Sequence, residues 1–174
     1  MLNPTSVLEK LGLTIGMKLA DLGCGGAGHF VLPAARMVGQ AGKVYAIDVM
    51  QTVLQSVESK ARLENLTNIQ YVWADVEMPG STKIPDNSTD IAIIKNVLFQ
   101  SQKHAAIIGE AARMLRVGGR LLVVDWKSPG SPFGPPLNIR VRKEDVRKIA
   151  SGLGLRELAE FEAGRFHYGL IFEK

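Results

Sequence analysis

The stretch Ala20-Asp21-Leu22-Gly23-Cys24-Gly25-Gly26-Ala27-Gly28 decides the fold. The short apolar run Met17–Leu22 leads into it as a strand, and helical periodicity over His29–Val38 follows it. Glycines at such a junction let the backbone turn sharply and come close to a ligand with no Cβ in the way. The helix N-terminus behind them offers free N–H groups to an anionic or carboxylate group. Taken alone, the spacing Gly23-x-Gly25-x-x-Gly28 is as much a dinucleotide fingerprint as anything else, so the loop leaves its ligand open.

Outward from this loop, strands and helices alternate. A short opening helix is capped by Asn3, carries Pro4 in its first turn and Val7, Leu8 and Leu11 on its apolar face, and ends at Gly12. Downstream, Lys43–Ile47 reads as a second strand and Met50–Leu63 as an amphipathic helix. Ile69–Ala74 is a third strand, Met78–Ser88 a polar loop, Ile91–Lys95 a fourth strand and His104–Leu115 a helix. Val117-Gly118-Gly119 turns the chain into a fifth strand, Arg120–Val124. A loop with Pro129, Pro132, Pro135 and Pro136 reads as a stiffened lid, followed by a helix over Lys143–Ser151. Two last strands, Leu155–Phe161 and His167–Phe172, are joined by a turn at Glu162–Arg165. Strands separated by helices demand right-handed crossovers and a parallel sheet covered on both faces. The last two are joined too tightly for a helix and form an antiparallel hairpin. The expectation is an α/β, Rossmann-like, doubly wound sheet of seven strands, mostly parallel with an antiparallel C-terminal hairpin, in a single domain over residues 1–174.

Composition narrows the function. At 174 residues with 46% apolar content the chain has globular proportions, which excludes a disordered tail or a coiled coil. One cysteine, Cys24, rules out an intramolecular disulfide and a multi-cysteine zinc site, and no metal is expected. No run of 18 apolar residues occurs and Met1–Lys10 lacks the order of a signal peptide, so a cytoplasmic protein without a membrane span is expected. The net charge of +4 is mild. Its densest part, Arg140, Arg142, Lys143, Arg147 and Lys148, is diluted by Glu144 and Asp145. It reads as a solvated helix face and does not point to nucleic acid.

Two further acids stand where a nucleoside would need them. Asp48 closes the second strand, 20 residues beyond Gly28, where a carboxylate accepts two ribose hydroxyls. Asp75 closes the third strand, where an acid accepts a hydrogen bond from an adenine exocyclic amine. With Asp21, three acids lie at or near the ends of three successive strands.

These residues, with Lys95-Asn96-Val97-Leu98 and Leu115-Arg116-Val117-Gly118-Gly119-Arg120-Leu121, resemble the class I S-adenosylmethionine-dependent methyltransferases. The resemblance is closest to the type 11 group, which includes ubiquinone and menaquinone biosynthesis methyltransferases, and runs from about Met17 to the final strand. It implies S-adenosylmethionine as cofactor. Gly23, Cys24 and Gly25 would pass beneath its methionine part, with Asp21 near the amino group. Asp48 would take the ribose, Val49 or Met50 the adenine face, and Asp75 the adenine amine with the backbone of Val76 beside it. Asn96 would lie near the methionine end and the acceptor doorway. One departure stands out: the family reads Gly-x-Gly-x-Gly, whereas Gly26-Ala27-Gly28 makes this loop one residue longer, the spacing of a nicotinamide enzyme. Asp21 directly before the glycines opposes a nicotinamide-dependent oxidoreductase, as does the lack of a second domain for a hydride acceptor. A nucleotide-binding module without turnover is the other alternative.

In this topology the C-terminal ends of the parallel strands line the ligand crevice, and the hairpin turn returns to the same edge. That places Asn96, Phe99, Asp125, Trp126, Lys127, the proline loop, Arg165, Phe166, His167 and Tyr168 near the acceptor. His167 is the candidate general base, since imidazole changes charge near neutral pH; the plainer reading makes it the first residue of an edge strand. Trp126 and Phe133 either stack on a flat acceptor or anchor the loop. His29 lines the cofactor or caps its helix, and His104 is placed at the surface. The acceptor is a small molecule or a protein side chain. Only 16 residues precede the first strand, which predicts an open site or one closed by a second copy of the chain.

Overall fold

A computed structural model describes residues 3–127 and 133–174; Pro129 and Pro132 of the expected lid lie outside them. Seven strands form one sheet: β1 (Lys18–Leu22), β2 (Lys43–Asp48), β3 (Ile69–Trp73), β4 (Thr89–Lys95), β5 (Leu115–Trp126), β6 (Arg156–Glu162) and β7 (His167–Glu173). The helices are α1 (Pro4–Lys10), α2 (Val31–Val38), α3 (Gln51–Leu63), α4 (His104–Met114) and α5 (Lys143–Gly152). Strand order is β3-β2-β1-β4-β5-β7-β6. Pairs among the first five strands are parallel, and β7 runs antiparallel to both β5 and β6. The expected hairpin is there, with its later strand docked on β5 and its earlier strand at the edge.

The sequence explains which strands are central. Ile91-Ala92-Ile93-Ile94 in β4 and Leu121-Leu122-Val123-Val124 in β5 are buried throughout, the pattern of strands covered on both faces. One face packs α4 and α5 through Ile107, Ile108, Val146 and Ala150. The other packs α1, α2 and α3 through Leu8, Val31, Val38 and Val57. The Asn3 side chain accepts from the Ser6 amide at 3.2 Å, capping α1 as its sequence implies.

Four local expectations are corrected. Val117-Gly118-Gly119 does not turn the chain into β5 but lies within it. The Gly118 amide donates to the Lys174 carbonyl at 2.8 Å and the Lys174 amide to Gly119 at 3.0 Å, so the C-terminus draws this segment into the sheet. Helix α2 starts at Val31 rather than His29, because Phe30 supplies no side-chain cap and the preceding residues stay in turns. His104 is half-buried rather than at the surface, and its Nε2 has no hydrogen-bond partner among the described residues.

The basic run is not a bare solvated face either. Arg142 pairs with Asp145, Lys143 with Glu160, and Arg147 with Glu157 and Glu160. Arg140 is buried and donates to the carbonyls of Lys127 (2.8 Å), Phe133 (2.9 Å) and Pro135 (2.9 Å). Its charge is spent on fixing the loop that leaves β5. No described helix is long and apolar enough to cross a membrane.

Candidate functional site

The glycine loop hangs on the end of β2. The amides of Gly23 and Cys24 both donate to the Ile47 carbonyl, at 2.9 and 3.0 Å. Gly23 has φ +74°, and a Cβ there would lie 2.5 Å from Val97 Cγ2. Gly25 has φ +65° but a Cβ would meet nothing within 4 Å, so at this point the loop presents bare backbone to open space. That space is a cleft of about 390 Å³, lined among others by Gly23, Gly25, Asp48, Val49, Met50, Asp75, Val76 and Val97.

Asp48 ties the cleft together. Its Oδ2 accepts from the Gly25 amide at 3.3 Å and its Oδ1 from the Met50 amide at 3.0 Å. Asp75 Oδ1 accepts from the Glu77 amide at 2.9 Å, which holds the carboxylate at the cleft's far side. Val49 is 61% exposed and Met50 56%, although both are apolar. A flat apolar group lying on them removes that surface from water. Bare glycine backbone, an acid after β2, an acid beyond β3 and an apolar shelf between them fit an adenosyl group.

The extra loop residue is absorbed away from the cleft. The Gly26 carbonyl accepts from Ser56 Oγ at 3.0 Å and from the Lys60 ammonium, both on α3. Sequence reasoning passed over this pair; its signal was two polar residues spaced i, i+4 on one side of an amphipathic helix.

Asp21 and Cys24 do not line the cleft by their side chains. Asp21 sits in β1 opposite Ala46 and Ile93 and is 2% exposed. Burial pushes its carboxyl up to about 7; Lys95 pulls it back and Asp48 raises it further. The Cys24 thiol packs into the core beside α2, and burial with the charges of Asp21 and Asp48 pushes it up, so it stays protonated.

Asn96 has φ +56°, a left-handed conformation that asparagine tolerates better than most residues. Its amide donates to Val124 at 2.9 Å, its carbonyl accepts from Gln100 Nε2 at 2.6 Å, and its buried Oδ1 has no partner among the described residues. Val97 on one side of it lines the cleft, and Lys95 on the other lines a second cavity. Asn96 therefore stands at the wall between the two.

The second cavity, about 470 Å³, is lined by His29, Lys95, Val124, Ala163, Gly164, Arg165, Phe166 and His167. His167 faces Trp126 across the β5–β7 pair, with ring centroids 4.1 Å apart. Neither His167 Nε2 nor Trp126 Nε1 has a partner among the described residues. Burial lowers the imidazole pKa, and Lys95, Arg140 and Lys127 lower it further, which keeps the ring neutral at neutral pH. Phe133 meets Phe166 edge-on at 5.6 Å.

Two residues expected near the acceptor turn elsewhere. Tyr168 is buried on the α4–α5 face and donates to the Val141 carbonyl at 3.0 Å. Asp125 is fully buried and accepts from the Trp126 amide at 2.7 Å. Burial pushes its carboxyl up to about 6, while the amides of Trp126, Phe99 and Leu98 hold it back. It secures the 3-10 turn Leu98–Gln100 beside Asn96 and lines neither cavity.

The family described as "Methyltransferase domain" matches residues 20–123, more than half of the chain, from the glycine loop through the central residues of β5. The chain belongs to the methyltransferase domain family. The Shewanella pealeana ubiquinone/menaquinone biosynthesis C-methyltransferase UbiE is 33% identical to it over 70% of this chain and 47% of that protein. The Cronobacter sakazakii UbiE is 32% identical over 92% of this chain and 61% of that protein. The methyltransferase-family chain thus spans about half the length of its first curated relatives. Among solved structures, an S-adenosylmethionine-dependent methyltransferase from Aquifex aeolicus superposes with a TM-score of 0.86 at 26% identity, covering 98% of this chain and 89% of that one. The [4+2]-cyclase SpnF superposes at 0.81 with 20% identity over 98% of this chain and 79% of that one, which shows the fold alone. A fold shared with a cyclase does not settle the chemistry; the site must carry it.

Proposed function

We propose that this chain, acting as one domain, transfers the methyl group of S-adenosylmethionine to an acceptor held in the second cavity. The observation that carries this is an adenosyl-shaped cleft lined by Val97 and a separate cavity lined by Lys95, on either side of Asn96 at the end of β4 in a methyltransferase-family sheet. Asp48 receives the ribose hydroxyls, Val49 and Met50 the adenine face, and Asp75 with the Val76 backbone its edge. Gly23, Gly25 and the Cys24 backbone pass under the methionine part, and Asp21 answers its ammonium from within β1. The cofactor, once bound, supplies a methyl group already activated by its positive sulfur, so the protein's work is to orient the acceptor and exclude water. Asn96 aligns the acceptor at the doorway. His167, neutral and with no partner for its Nε2 among the described residues, takes the proton of a nucleophile that must lose one. C-methylation in quinone biosynthesis is the named activity of the UbiE relatives; the short match to them supports the chemistry here more than the acceptor.

Calorimetric titration with S-adenosylhomocysteine, with NADH in parallel, tests the reading. Micromolar binding of the first and none of the second is expected; binding of NADH alone would overturn it. For any acceptor found to turn over, His167→Ala lowers kcat about a hundredfold or more while leaving S-adenosylhomocysteine affinity unmoved. Full turnover in that variant removes His167 as the base.

A further inference from the structure

We infer that the second cavity takes a small acceptor that carries an acid group beside a flat apolar body, its anion held between Lys95 and Arg165. This rests on the reading of that cavity as the acceptor site and names its chemistry.

The first argument is charge. The cavity's ionisable lining is Lys95, Arg165, His29 and His167, and no carboxylate is among its described lining residues. Cations nearby are already engaged: Lys127 pairs with Glu162, Arg140 with three loop carbonyls, and Arg142 with Asp145. Lys95 and Arg165 differ. Among the described residues neither side chain makes an ion pair or a hydrogen bond; the Arg165 guanidinium only lies over the Phe166 ring at 5.3 Å. Lys95 meets the charge of Asp21, an acid that burial keeps partly protonated at neutral pH. Two cations facing one concave space without a counter-ion make a site for an anion.

The second argument separates acceptor from cofactor. Lys95 lines the second cavity and not the cleft that holds Asp48 and Gly25. Its charge reaches His167, lowering that imidazole's pKa, and both residues line the same cavity. An anion seated at Lys95 presents the rest of its molecule to His167.

The third is shape. Val124, Ala163 and Phe166 supply apolar wall, and Phe133, 64% exposed, extends it edge-on from Phe166. At about 470 Å³ the space suits a small molecule rather than a folded partner.

The test uses the full chain saturated with S-adenosylhomocysteine. 4-Hydroxybenzoate and phenylacetate are titrated beside their neutral methyl esters, by calorimetry and by NMR of the His167 ring. The acids are expected to bind about tenfold or more tightly than the esters and to raise the His167 pKa. Lys95→Met and Arg165→Ala are each expected to raise the acids' Kd about tenfold, with S-adenosylhomocysteine's Kd unmoved in Arg165→Ala. Equal binding of acid and ester overturns the inference, as does no binding of either acid up to about 20 mM. Acid binding retained in both Lys95→Met and Arg165→Ala also overturns it. Failure of S-adenosylhomocysteine to bind the unaltered protein is a different result: it sinks the methyltransferase reading, whatever the acids do.

Discussion

Asp48→Ala weakens S-adenosylhomocysteine binding by about 1.5–3 kcal/mol, a loss of roughly 10-fold to 150-fold. The size follows from how much one carboxylate holds. Its Oδ2 takes the Gly25 amide and its Oδ1 the Met50 amide, so it fixes both the bare part of the glycine loop and the start of the apolar shelf. Each oxygen keeps lone-pair capacity for a ribose hydroxyl. Alanine removes the hydroxyl acceptors and releases the two backbone segments the ligand must find in place. Asp48→Asn separates these effects, because the amide oxygen keeps one backbone contact while the charge is lost. Calorimetry on both variants should place Asn between wild type and Ala. Unchanged affinity in Asp48→Ala removes the ribose from this residue.

Much of this frame was legible in the sequence because its signals are local. Ile91-Ala92-Ile93-Ile94 can be buried on both sides only in a central strand, and the eight residues after Val124 hold turn formers where a crossover must begin. Asp48 was legible for the same reason: a carboxylate ending a β-branched run can only sit at the sheet's edge of the crevice. What stayed hidden depends on contacts between distant segments. Arg140 looks like one more cation in a basic run, and only folding shows three carbonyls around it. Ser56 and Lys60 lie thirty residues and more from the carbonyl they hold. The C-terminal Lys174 pairs across Gly118 and Gly119 and turns an apparent loop into strand. Tyr168 and His167 are adjacent in sequence, yet alternation along β7 sends them to opposite faces, so His167 lines the second cavity and Tyr168 packs in the core.

Asp21→Asn is expected to stabilise the free protein and to weaken the cofactor, because the wild-type carboxylate is held where burial opposes its charge. Its folded value, about 7, lies above the ordinary 3.8. The folded state therefore binds more protons than the unfolded one across that window. Its contribution to stability is full below about 4 and is lost as pH rises through about 7. A shift of this size bounds the loss at about 4 kcal/mol above neutrality. Asparagine carries no such charge, so the variant's advantage in Tm should be absent near pH 4 and largest near pH 8. Binding runs the other way. The ammonium of the cofactor's methionine part favours the ionised carboxylate and lowers its pKa in the complex. Wild-type affinity for S-adenosylhomocysteine should therefore climb between pH 6 and pH 8, by about tenfold at most per unit below the free protein's pKa. In buffers of different ionisation enthalpy, calorimetry should register proton release. Asp21→Asn should show weaker binding at pH 8 and a flat profile. A flat wild-type profile, or tight binding in the variant, would take the ammonium away from Asp21 and leave the acid a strained core residue beneath Lys95.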